Sequence, residues 1–142
     1  MKLKRNIAAL AMAGAAAGAL TVGVAGTAQA APSGDPLSTG CANGAQTIWQ
    51  NTYFGSGTVE VRYSPSCGTN WVRVTGAAGR QSEAGIASQA SGWQWSPSYG
   101  NSPNSYWTPM VYAPSSACVT FRVKIGNANG IGMMDTGNKQ LC

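Results

Sequence analysis

No histidine occurs anywhere in the 142-residue sequence. Its absence removes the general base of Ser-His-Asp and Cys-His catalysis and the commonest side-chain ligand of metal ions. Charge is scarce too: Lys and Arg number nine, Asp and Glu four, and only 9% of residues are charged. With no basic run or stripe, the footprint of a nucleic-acid binder is missing. No segment of helical period is long enough to organise a domain. Glycoside hydrolysis needs only two carboxylates, but the four present are poorly suited. Asp35 lies near the start of the exported part, Glu60 alternates outward beside arginines, and Glu83 and Asp135 fall in segments of uncertain structure. All four read as solvated or ion-paired groups. The stretch GNANGIG at 126–132 lacks the lysine and following helix of a phosphate loop and reads as a hairpin turn.

The amino end carries Lys2, Lys4 and Arg5, and residues 7–24 are then uncharged, built from small and apolar types. A basic start, an apolar stretch and the small residues of Ala28-Gln29-Ala30 make a secretory signal peptide over residues 1–30, cleaved after Ala30. A retained membrane anchor is the competing reading, but the stretch is mostly Ala and Gly and a cleavage site follows it. Lys4-Arg5 is not the Arg pair of a twin-arginine signal. The expected mature chain, residues 31–142, is of single-domain size. It carries six cations (Arg62, Arg73, Arg80, Arg122, Lys124, Lys139) against four anions, a net of +2. After cleavage neither a membrane nor a nucleic acid is expected as a partner.

Cys41, Cys67, Cys118 and Cys142 form an even set in an exported chain and read as two disulfides. No pair has zinc-site spacing, and neither a metal nor a cofactor is expected. Of the three possible connectivities, the sequence-local one joins Cys41 to Cys67 and Cys118 to Cys142. Each bridge would close a loop of roughly 25 residues and contribute roughly 3.5 kcal/mol on the chain-entropy model. The second would also pin the last residue of the chain.

Strand patterns dominate the rest. Val59, Val61 and Tyr63 alternate with Glu60 and Arg62, residues 64–70 supply turn chemistry, and Trp71 to Val74 resumes the alternation. Matching faces places Val61 opposite Val72, Val59 opposite Val74, Glu60 opposite Arg73 and Arg62 opposite Trp71, the last with scope for a cation-π contact. In residues 119–125 every odd position is apolar, and Asn129-Gly130 offers a type I′ turn or part of a longer loop before a return strand at 131–134. Further strands are expected at 46–53 and 106–112, with Pro109 confining the latter to an edge or bulge. Residues 81–91 fit a short helix or a strand equally. The expected fold is all-β, a small antiparallel sandwich or barrel with long polar loops, stapled by two disulfides.

Asp35-Pro36, the run Thr39-Gly40-Cys41-Ala42, VEVRYSPSCGTNW at 59–71 with Arg73 after it, and Trp107-Thr108-Pro109-Met110-Val111 together resemble the YjfA-like family of small exported Gram-positive proteins. The family pattern has Leu at the position of Val61 and commonly Ala at that of Val72. The resemblance implies a secreted domain and a Cys41–Cys67 bridge, and carries no known chemistry.

Trp93, Trp95, Tyr99, Tyr106 and Trp107 lie within WQWSPSYGNSPNSYW at 93–107, the leading candidate for a ligand-binding surface. On a strand Trp93 and Trp95 share a face. Exposed rings among amides and hydroxyls suit sugar faces, and equally a protein interface, whereas the plain alternative is that they fill the core. The leading function is a non-catalytic module that binds cell-wall or extracellular polysaccharide. A secreted inhibitor or module contacting another extracellular protein comes second, and a carboxylate-dependent hydrolase last.

Overall fold

The computed structural model describes residues 32–142, so the expected leader and its cleavage point lie outside the described residues. Among the described residues, ten strands form two antiparallel sheets. The first contains β1 (Gln46–Tyr53), β2 (Gly57–Ser64), β3 (Thr69–Thr75), β6 (Ser105–Trp107) and β7 (Val111–Tyr112), with β6 and β7 pairing along successive parts of β3. The second contains β4 (Ser82–Ser88), β5 (Gly92–Trp95), β8 (Val119–Gly126), β9 (Met133–Asp135) and β10 (Lys139–Leu141). In its layout β8 is central, β4 lies on one side, β9 and β10 share the other, and β5 forms the edge beyond β4.

The two-residue period of each strand decides which side chains meet. Val59, Val61, Val72 and Val74 of the first sheet pack against Ala84, Ile86, Val119, Phe121, Val123 and Ile125 of the second. Of the two expected architectures this is the sandwich, and its bridges are Cys41–Cys67 and Cys118–Cys142. Such bridges belong to an oxidising compartment.

The β2–β3 hairpin has the register that its faces require: Val59 pairs with Val74, Glu60 with Arg73, Val61 with Val72 and Arg62 with Trp71. Its outer face is partly covered. Residues 35–45 fold as turns over it, so that Cys41, Trp71 and Met110 make a second small cluster with Ala42, Ala45 and Cys67 at its margin. Arg62 turns to this segment and to β1, donating to Ala45 O and to Thr47 Oγ1, while Trp71 is buried.

Glu60 is therefore held in a nearly closed setting, its side chain 8% exposed. Arg73 donates through Nε to Oε2 at 2.6 Å and through Nη2 to Oε1 at 3.0 Å, and Thr47 Oγ1 donates to Oε1 at 2.9 Å. These bonds, that from Arg73 foremost, hold the Glu60 carboxyl below its ordinary value of 4.5. Arg73→Ala leaves the carboxylate with Thr47 and the nearby Arg62 charge. Because Arg73 is itself 39% exposed, the expected loss is about 2 kcal/mol, less than for a fully buried pair. A depressed folded-state value means that Glu60 stabilises the fold above about 4.5 and loses that contribution as pH falls. The urea-midpoint difference between wild type and Arg73→Ala is accordingly expected to shrink on acidification, and a constant difference would contradict this role.

Pro109 divides the strand expected at 106–112 into β6 and β7, as its missing N–H requires. Thr108 bridges the interruption: its N–H donates to Val72 O and its Oγ1 accepts from the Val72 N–H. At 127–132 Gly130 has φ +72° but Asn129 is not among the described non-glycine residues with positive φ, so the connection is the longer loop and not a type I′ turn. Within residues 81–91 the segment Ser82–Ser88 is strand β4, and 89–91 turn into β5.

Candidate functional site

Strand β5 presents Trp93 and Trp95 to the outer face of the second sheet, paired with Ala87 and Gly85 of β4. Glu83, Gly85 and Ala87 alternate with the core residues Ala84 and Ile86, which fixes this face as outward. The two indoles stack, with ring centroids 5.0 Å apart and planes inclined by 16°. They remain 39% and 42% exposed, well outside the core. Stacked, half-open indoles present apolar area already ordered for a ligand.

Gly85 makes the arrangement possible. A Cβ there would lie 2.5 Å from Trp95 Cε3 and 2.6 Å from Cζ3, so the six-membered ring occupies the space a side chain would take. The same register continues across the sheet: Gly85 faces Arg122, Ala87 faces Thr120, and Thr120 faces Gln140. A groove of about 660 Å³ adjoins this row, lined by Ala87, Ser88, Gln89, Tyr112, Thr120 and Gln140 among others. The outer face thus carries apolar rings at its edge and, across β4, hydroxyls and amides that can bond to a polar ligand. Gly85→Ala is expected to force Trp95 off its seat and abolish the exciton couplet of the stacked indoles in the far-ultraviolet circular dichroism. An unchanged couplet would show that the pair does not depend on this slot.

The other aromatic candidates lie elsewhere. Tyr106 is a core residue, 3% exposed; its hydroxyl bonds to Ser82 Oγ, and burial pushes that hydroxyl up to about 12. Tyr99 packs against it with centroids 4.9 Å apart. Trp107, half-buried at the end of β6, donates from Nε1 to Asp35 Oδ2 at 3.2 Å. Only Trp93 and Trp95 therefore share a surface, while Tyr99, Tyr106 and Trp107 gather around a different cleft. Sequence reasoning missed Gly85 and Ala87 as the cross-strand partners of the indoles, and Thr120, Arg122 and Gln140 further along the same face. The small residues of β4 opposite Trp93 and Trp95 are the trace that could have revealed them.

Three of the four carboxylates are separately engaged. Glu60 holds Arg73 on the first sheet, and Asp35 accepts from the Leu37 and Ser38 N–H groups. Asp135 receives a two-pronged hydrogen bond from Arg122, at 3.0 and 2.7 Å, which leads the causes that bring its carboxyl down to about 2. Glu83 lies opposite Lys124 in the ladder register. Among the described residues, no three His, Cys, Asp or Glu are grouped to hold a metal ion.

Comparison with curated proteins and with solved structures finds no match. A family model described as a protein of unknown function, DUF2690, matches residues 29–120, a span that includes the Cys41–Cys67 bridge, the β2–β3 hairpin and the Trp93–Trp95 strand but stops within β8. By that match the chain belongs to the DUF2690 family of proteins of unknown function.

Proposed function

We propose that residues 31–142 form a single exported, non-catalytic module that holds cell-wall or extracellular polysaccharide on the outer face of its second sheet. The observation that carries this reading is the stacked Trp93–Trp95 pair, exposed and seated over Gly85. Pyranose rings offer C–H faces to such indoles and hydroxyls to neighbouring amides. Gln140, Thr120 and Gln89 supply polar groups along the same face and the adjoining groove. A face already shaped for its ligand loses little conformational freedom on binding. The disulfides support export, and the separate engagement of Asp35, Glu60 and Asp135 supports a binding role over hydrolysis.

Sedimentation of the protein with insoluble peptidoglycan, chitin and cellulose tests this reading. Saturable retention on at least one polymer, reversed by soluble fragments of that polymer, is the expected result. No retention on any of them would contradict it and favour the second reading, a secreted inhibitor or interaction module using the same rings. Inhibition assays against secreted proteases address that alternative.

A further inference from the structure

A second cleft, of about 370 Å³, lies away from the Trp93–Trp95 face, between the turn at Asp35 and the end of β6. Tyr99, Trp107, Pro97, Pro103 and Pro109 give it ring-lined walls, and Asp35 is the charged residue among its lining. The carboxylate is fixed in place: Oδ1 accepts from the Leu37 N–H at 2.7 Å and the Ser38 N–H at 3.0 Å, while Oδ2 accepts from Trp107 Nε1 at 3.2 Å. Oδ2, with one donor, keeps acceptor capacity. An anion beside aromatic faces complements a cation, which gains both the charge pair and the ring quadrupoles.

We infer that this cleft binds the side-chain ammonium of a lysine in an extracellular peptide, with Asp35 as its counter-ion and Tyr99 and Trp107 as its aromatic walls. A lysine stem is apolar along its length and packs on proline and aromatic rings while its head reaches the charge. An arginine fits less well. Its planar fork seeks both oxygens of a carboxylate, and Oδ1 already serves two backbone amides. A neutral sugar finds few polar groups on a lining made mainly of rings. The site is separate from the polysaccharide face and does not depend on that reading.

The test follows the Trp107 indole N–H by nuclear magnetic resonance while N-acetyl-lysine methylamide is added to the disulfide-bonded protein. N-acetyl-norleucine methylamide, which has an apolar side chain without the ammonium, is the control. A saturable shift with the lysine probe is expected, with a dissociation constant on the order of 1 mM, weakening as salt rises, and no comparable shift with norleucine. Asp35→Asn should weaken binding by about tenfold or more, as expected for removal of the counter-ion. Because Asp35 also caps a turn, Tyr99→Leu provides a second variant that leaves the turn intact, and it too should weaken the lysine probe. Trp93→Ala should leave binding unchanged. Equal shifts with both probes, or no saturable shift with lysine, would overturn the inference.

Discussion

Phe121→Ala is expected to destabilise the protein by about 3 to 5 kcal/mol, the range for removing a large aromatic ring from a close-packed core. Phe121 is fully buried at the middle of the second sheet, where it faces Ile86 on β4 and Lys139 on β10. Its ring also meets Trp49 of β1, with centroids 4.8 Å apart and planes inclined by 53°. The residue thus joins the two sheets, and neighbours held in paired strands have limited freedom to close the cavity. Urea denaturation with an unchanged slope and a much lower midpoint is the expected observation. A loss below about 1 kcal/mol would mean that the sheets are not packed through this ring.

Cys67→Ser is expected to cost about 2 to 5 kcal/mol, and at the upper end to prevent folding under ordinary conditions. The bridge spans a sequence separation of 26, which corresponds to roughly 3.5 kcal/mol on the chain-entropy model. It also ties residues 35–45 onto the outer face of the hairpin, where Cys41 packs with Trp71 and Met110. Non-reducing peptide mapping of wild type should yield Cys41–Cys67 and Cys118–Cys142 and no free thiol. A stable Cys67→Ser protein with an unaltered denaturation midpoint would refute the structural role of the bridge.

Much of the fold was legible because the alternation was unmasked. In β2, β3 and β8, valines and other apolar residues face inward while Glu60, Arg73, Arg122 and Lys124 face outward, so both strand type and hairpin register followed from the faces. The segment 81–91 was illegible for a specific reason. Strand β4 must leave room for the indoles, so its outward positions opposite them are Gly85 and Ala87, and with Ala84 also small on the inner face the two-residue signal is weakened. The same substitution of space for side chain hid the candidate site: Trp93 and Trp95 were visible, but the partner strand that seats them was not. Tyr106 and Trp107 could not be separated by pattern either. Adjacent on β6, they face opposite ways, one into the main core and the other toward Asp35.

If the outer indole pair holds polysaccharide as proposed, Trp95→Ala should lose retention on the polymer that retains wild type, measured at matched concentration and with the thermal midpoint recorded for both. An exposed ring over Gly85 contributes more to a ligand than to the core, so retention is expected to fall at least about tenfold, the equivalent of about 1.4 kcal/mol, while the midpoint changes little. Full retention by Trp95→Ala at an unchanged midpoint would contradict the assignment of that surface.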